Sequence, residues 1–380
     1  MTGYVNETLP MINALFSDNR VKLGVMAFNC SHGSTVTTAD GIWPMDWDDN
    51  AKLARMADAA GLEVLLPVGR WKGYGGQTNF NHRTFESLTW ASALGAITSY
   101  STIFATVHAP LIHPIAAAKM AATADHVSGG RFALNVVAGW FKNEFDMFGL
   151  EIASHDRRYD YAAEWLGLVK RLWTEEETFD HHGDFFQGKA LWSQPKPVQR
   201  PRPPIMNAGS SEAGHAFSAR HADMNFAMLR QKDEDSDRAQ ISHLKKMALD
   251  LGRTSQCWIH VYVVCRDTEQ EARDYLNHYV VEKGDDVAVG NMLDIFGVQS
   301  GTLTGEVLET FKFHFKAGHG GYPLVGTPEQ IVDSIERLSS MGVDGLLMSW
   351  VDYLGECRQW VEQVLPLMEQ AGQRQPFTGG

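Results

Sequence analysis

One neutral amide interrupts an apolar run: Asn135 in FALNVVA (132–138), a stretch that breaks at Gly139-Trp140 and is followed at once by Lys142 and Glu144. An amide inside a buried strand needs hydrogen-bond partners or a site to face. Other apolar runs end on related residues. These are Phe28-Asn29, Gly69-Arg70-Trp71, Thr106-Val107-His108, Asn207-Ala208-Gly209-Ser210-Ser211 and Ser349-Trp350. Neutral donors, small residues and aromatics suit a water-poor pocket in which a polar ligand is held and oriented. This strand-end set holds no close pair of carboxylates, no HExxH and no GxSxG, and GxGxxG is absent from the chain. Metal-assisted hydrolysis, glycoside cleavage, serine hydrolysis and a Rossmann dinucleotide turn therefore lack support. The 15 histidines include a His181-His182 pair, but no ligand spacing accompanies it, and no metal is expected.

The run MNAGSSEAG (206–214) is the best anion candidate. A strand ends there, Gly209 permits close approach, and Ser210-Ser211 precede a helix whose first N–H groups are free to bind a phosphate. An ordinary serine N-cap is the competing reading. In SHDRRYDYAAEW (154–165), Arg158 could meet the same anion and Tyr159 could stack or hydrogen-bond, unless the arginine is simply solvated. In GRWKGYGGQTNF (69–80), Gly73, Gly75 and Gly76 suggest a mobile loop anchored by Arg70 or Trp71, or else a plain surface turn.

These residues need a scaffold, and the hydrophobic pattern supplies one. Apolar strands at 21–28, 62–68, 101–109, 132–137, 204–209, 224–227, 258–265 and 345–349 alternate with helical segments at 48–61, 84–96, 113–130, 156–173, 212–222, 236–251, 269–283, 327–341 and 354–371. Buried strands alternating with helices imply a parallel sheet. Eight such units point to an α/β (β/α)8 TIM barrel, with an open doubly wound sheet as the rival. Two stretches fall outside the repeat, as insertions after strands 4 and 7. One is a hairpin and Pro-rich connection near 178–204, the other a loop-rich excursion at 284–324. Residues 1–20 read as an N-terminal arm, 21–371 as one barrel domain, and 372–380 as a tail. In such a barrel, chemistry belongs at the C-terminal ends of the strands.

Composition agrees with a large globular core: 44% hydrophobic and 21% charged residues, with a formal charge of −13. That charge disfavours nucleic acid as a partner. No apolar run reaches the roughly 18 residues of a membrane span, and the N-terminus lacks the basic-then-apolar order of a signal peptide. The four cysteines form no CxxC pair, which suits reduced thiols and a cytoplasmic setting. Cys30 alone lies beside a candidate site, as a reactive thiol or a packed one.

Four segments, GGRFALNVVAGWFKNEFDMFG, HDRRYDYAAEW, PKPVQRPRPPIMNAGSSEAGHAFSAR and LVGTPEQIVDSIERLSSMGVDGLLMSW, resemble the bacterial luciferase-like flavin-dependent monooxygenases. The likeness is strongest to the branch that holds pyrimidine and dimethylsulfone monooxygenases, and it runs in order over 21–371. It implies reduced FMN (FMNH2) and O2 as co-substrates, a separate NAD(P)H:flavin reductase, and a homodimer or homotetramer. It places the flavin phosphate at Gly209, Ser210 and Ser211 near Arg158 and Tyr159. It places the ring against Phe28, Arg70, Thr106, Asn135 and Glu144. Thr106 and Asn135 would line an oxygen pocket and, with Arg70, form the catalytic set, the reactive species being a flavin-peroxide. His108 could act as acid or base, or simply pack. Trp43, Trp71 and Trp140 would face a small substrate such as an N-heterocycle or sulfone. The run AMLRQKDEDSD (227–237) lacks the Arg and His used by alkanesulfonate monooxygenase, so a sulfonate is not expected. A deazaflavin (F420)-dependent oxidoreductase on the same barrel, or a non-catalytic flavin-binding protein, are the alternatives.

Overall fold

The structure is a computed structural model and describes residues 13–229, 233–296 and 305–379. Its strands are β1 Lys22–Met26, β2 Val64–Leu66, β3 Thr102–His108, β4 Phe132–Val137, β5 Phe179–His182, β6 Gln187–Leu191, β7 Ile205–Asn207, β8 Met224–Ala227, β9 Gln256–Cys265, β10 Tyr322–Gly326 and β11 Gly345–Ser349. Eight of them pair in parallel in the order β9-β11-β1-β2-β3-β4-β7-β8, and β8 pairs back onto β9. That last ladder closes the cylinder and excludes the open sheet. The antiparallel pair β5-β6 stands apart between β4 and β7, and β10 extends the outer half of β9.

Period-two alternation sorts each strand into two layers. Leu134 and Val136 of β4 face outward into the core between barrel and helices, whereas Ala133 faces inward with Phe104, Val64, Met206, Met224, Trp258 and Leu347. The same alternation carries Asn135 inward beyond Ala133, Thr106 and His108 beyond Phe104, His260 beyond Trp258, and Ser349 beyond Leu347. The barrel interior is thus apolar at its base and polar at its C-terminal mouth.

The base is sealed from both chain ends. Leu15 packs inside with the inward apolar layer. Its N–H donates to Thr102 Oγ1 at 3.1 Å and its carbonyl accepts from Gln256 Nε2 at 2.8 Å. Arg374 forms a buried ion pair with Glu63 at 2.7 Å and donates to the carbonyls of Val21 and Gly61. Within 372–379, Gln373 and Arg374 are thus packed into the base while Gly372, Gln375, Pro376, Thr378 and Gly379 are exposed; of the arm, residues 1–12 lie outside the described residues.

The excursion at 284–324 differs most from its loop-rich reading. It holds helices Asp286–Ile295 and Gly305–Gly318 as well as β10, with residues 297–304 outside the described residues. Its apolar residues Ala288, Val289, Met292, Leu293 and Phe315 cluster with Tyr74, Phe80 and Phe141 from the β2 and β4 loops. Frequent glycines mask this helical pattern in the sequence, but the burial of one face stabilises it.

Candidate active site at the barrel mouth

Asn135 and Thr106 are register partners on β4 and β3. Asn135 Nδ2 donates to Thr106 Oγ1 at 3.1 Å, and Thr106 Oγ1 donates its proton to the Pro67 carbonyl at 2.6 Å. The directions matter. With its proton committed to Pro67, the hydroxyl can only accept from Asn135, so the amide nitrogen must face it. Asn135 Oδ1 is then left buried with no partner among the described residues. The pair presents an acceptor to the mouth, not the two donors its residue types suggest.

Arg70 leaves the end of β2 and is nearly enclosed, its Nη1 3.3 Å from Glu144 Oε1. The same carboxylate oxygen accepts from the backbone N–H of Trp71 at 2.7 Å and of Lys72 at 3.3 Å. Glu144 thus pins the loop after β2. Arg70 Cζ sits 5.2 Å from the Tyr74 ring, 5.1 Å from Trp140 and 5.3 Å from Phe141, and its Nε has no partner among the described residues.

Those rings belong to a closed aromatic collar. Tyr74 stacks on Phe80 (5.9 Å) and Phe141 (5.3 Å), Phe141 on Trp140 (5.5 Å), and Trp140 on Phe296 (4.8 Å). Phe296 meets Phe315 (5.8 Å), Phe315 meets His319 (5.3 Å), and His319 returns to Phe80 (5.8 Å). Loops after β2 and β4 and the 284–324 insertion each contribute. The glycine-rich turn at 73–76 is docked on that insertion rather than standing free. Asp285 accepts from Thr78 N–H and Oγ1 at 2.7 and 2.9 Å, and Asn291 donates to the Tyr74 carbonyl at 2.8 Å.

Three imidazoles face this region, all held neutral. Burial, reinforced by the Arg70 charge, lowers His108 to about 3 and His319 to about 4. Burial beside His319 lowers His260 to about 3, and its Nε2 pairs with Ser349 Oγ at 2.8 Å. His108 therefore carries no proton to donate as an imidazolium near neutral pH. Cys30 is fully buried, its thiol donating to Ala27 O at 3.0 Å, and burial raises its pKa further; it is a packed residue.

At the end of β7, Ser211 caps helix Glu212–His221 by accepting from Gly214 N–H at 3.1 Å, while Ser210 is exposed. A Cβ on Gly209 would fall 2.4 Å from Tyr159 Oη, so only glycine brings the backbone this close to the tyrosine. Arg158, one residue earlier on helix His155–Thr174, donates Nη1 to the Gly139 carbonyl and keeps a buried Nε without a partner among the described residues. Gly209, Ser211 and Tyr159 are thus brought together, and Arg158 links them to the β4 turn.

Other expected residues part company. Phe28 is wholly enclosed, edge-on to Trp90 at 4.9 Å, so its ring belongs to the core wall. Its β1 backbone turns at Ala27, which has φ +66°, and this sends the side chain outward. The three tryptophans do not share a pocket, because each follows a different loop. Trp140 is in the collar, and Trp71 is 45% exposed beside Phe148. Trp43 lines a separate cavity of about 330 Å³ with His32, Thr78, Asn79, His82 and Arg83. Of the 227–237 segment, residues 230–232 lie outside the described residues. Sequence reasoning passed over His260, Tyr74 and His319. The first carried the same signal as Asn135, one polar residue on the inward face of the apolar WIHVYVVC. Among the described residues no cluster of three or more His, Cys, Asp or Glu could hold a metal, and no helix is long and apolar enough to cross a membrane.

Residues 21–345 match the family described as luciferase-like monooxygenase. The FMNH(2)-dependent dimethylsulfone monooxygenase of Pseudomonas putida is 33% identical over 364 residues, covering 93% of this chain and 96% of that protein. Pyrimidine monooxygenase RutA of Enterobacter sp. (strain 638) is 28% identical over 357 residues, covering 92% and 96%. Among solved structures, riboflavin lyase (RcaE) with modified FMN and riboflavin superposes with a TM-score of 0.84 at 22% identity, covering 95% and 94% of the two chains.

Proposed function

The chain belongs to the luciferase-like monooxygenases, and from that premise we propose that it is a reduced-flavin-dependent monooxygenase of the two-component kind. In this reading a separate NAD(P)H:flavin reductase delivers reduced FMN, and O2 oxygenates a small organic substrate such as an N-heterocycle or sulfone. The protein would work in the cytoplasm as a homodimer or homotetramer. The observation that carries the reading is the Asn135–Thr106–Pro67 hydrogen-bond chain at the mouth of a closed barrel, ending in a buried, partnerless Asn135 Oδ1.

The residues fit the flavin. A buried acceptor suits a ring N–H, and a partnerless Arg70 Nε–H suits a ring carbonyl. The Gly209–Ser211 backbone at a helix start, with Tyr159 against it and Arg158 one residue before, suits the phosphate. Reduced FMN, when bound, supplies the electrons that O2 needs to react with a closed-shell substrate. The chain supplies the rest. Asn135, held by Thr106, orients the ring edge. Glu144 fixes Arg70 beside it, and the aromatic collar excludes water that would divert the oxidant. Because His108, His260 and His319 are neutral, none of these three rings offers an imidazolium proton at the mouth near pH 7.

The test compares reduced FMN under air with reduced deazaflavin without air, over small heterocycles, sulfones and halogenated aromatics. Incorporation of ¹⁸O from O2 into a product supports the proposal. Turnover with deazaflavin alone, or tight binding of oxidised FMN with no turnover under either condition, overturns it.

A further inference from the structure

His319 occupies an unusual place. It follows helix Gly305–Gly318 in the left-handed conformation, with φ +47°, and its N–H donates to the Phe315 carbonyl at 3.0 Å. Glycine is the usual residue there, and glycines stand at 318, 320 and 321 around it. An imidazole in that conformation is strained, and such strain tends to persist where function uses it. The ring stacks on Phe80 and meets Phe315 at a tilt, and its Nδ1 is buried without a partner among the described residues. Two rings along the collar, the Tyr74 hydroxyl is likewise buried and partnerless. Of the fifteen buried side-chain polar atoms without a partner among the described residues, these two share one aromatic collar with a third, Arg70 Nε, and their clustering there points to a ligand.

The charge state of the collar limits what that ligand can be. Burial raises Tyr74 to about 12 and, with Arg70, lowers His319 to about 4, so both are neutral hydrogen-bonding groups across the physiological range. Among the described residues the cation stacked in the collar is Arg70, which is already paired with Glu144 at 3.3 Å. An anion entering the collar would lose its hydration without finding a free positive charge. An uncharged molecule would lose little, and its apolar part would be covered by Phe80, Phe141 and Phe296.

We propose that Tyr74 and His319 form the polar pole of the substrate subsite, specific for a compact, uncharged molecule bearing an S=O or C=O acceptor. The Tyr74 hydroxyl donates to that oxygen, and His319 Nδ1 takes a second polar contact. This deepens the monooxygenase reading and rests on it, but the subsite is a binding claim that can be measured apart from turnover.

The experiment is a ligand-detected NMR titration of the full chain, with and without saturating FMN. The probes are dimethyl sulfone, 2-pyrrolidinone and methanesulfonate. At least one neutral probe binds, and methanesulfonate binds at least tenfold more weakly. Tyr74→Phe and His319→Phe each weaken the neutral probe about tenfold, the worth of one lost hydrogen bond. His319→Asn tolerates the left-handed backbone and restores a polar atom, so it binds within about threefold of wild type. Thermal unfolding controls for folding: removing a partnerless hydroxyl leaves the Tyr74→Phe melting temperature unchanged or higher. Failure of both neutral probes, tighter binding of methanesulfonate, or wild-type affinity in both phenylalanine variants overturns the subsite. A protein that takes up no FMN but binds the neutral probes keeps the subsite and sinks the flavin reading.

Discussion

At Asn135 the direction of two hydrogen bonds decides the chemistry available. Residue types alone suggest a pair of donors, but Thr106 spends its proton on Pro67 O, so the amide offers its oxygen to the mouth. Asn135→Ala therefore leaves FMN binding largely intact, since the phosphate end is untouched, while oxygenation falls by about 10²-fold, the scale of one preorganised polar contact. Product formed per O2 consumed measures this, and unchanged coupling would remove Asn135 from the mechanism. Asn135 was legible because a strand has a period of two and it breaks an otherwise apolar inward face; His260 carried the same signal and was passed over. Tyr74 and His319 were not, since loops carry no period that tells an inward side chain from an outward one. Phe28 misled for the opposite reason: a strand-end aromatic looks the same in sequence whether the chain turns its ring to the mouth or to the wall.

Loops and helices depend on one another through a few buried groups. Glu144 takes three donors from the loop after β2: Arg70 Nη1, Trp71 N–H and Lys72 N–H. Glu144→Ala strands the Arg70 guanidinium in a buried site, and the expected loss is about 3–5 kcal/mol. Urea unfolding reads it, and a loss under 1 kcal/mol would show that the pair is dispensable. At the proposed phosphate end, Ser211→Ala with Arg158→Ala removes a helix cap and a half-buried cation beside Tyr159. FMN affinity falls at least tenfold by fluorescence titration, with about 1 kcal/mol of stability lost through the cap; unchanged affinity would displace the phosphate from this helix start. The eight barrel strands were legible from their apolar runs, whereas the helices inside 284–324 were hidden by glycines and are stabilised by packing onto Tyr74, Phe80 and Phe141.

The whole molecule responds to acid through rings it keeps uncharged. Burial holds His108 and His260 at about 3, and His319 and His221 at about 4, with neighbouring cations adding to the effect at His108, His319 and His221. In the unfolded chain each takes up a proton near pH 6.5, so below that pH the unfolded state binds more protons than the folded one. The stability contributed by the neutral rings is complete above about pH 6.5. It is lost as pH falls toward the folded values, by up to about 1.4 kcal/mol per pH unit for each ring. Urea midpoints at pH 8, 6 and 5 should fall first between 6.5 and 5, above the carboxylate range; equal midpoints would contradict the burial. The closed cylinder was readable from eight strand-helix units, but its stopper was not, because neither Leu15 nor Arg374 belongs to any repeat. That stopper makes the barrel a cup. In the proposed reaction cofactor, gas and substrate all enter over the rim of that cup, so the deepest guest has to arrive first and depart last, and turnover becomes a queue in which a newcomer at the rim can trap what lies beneath it.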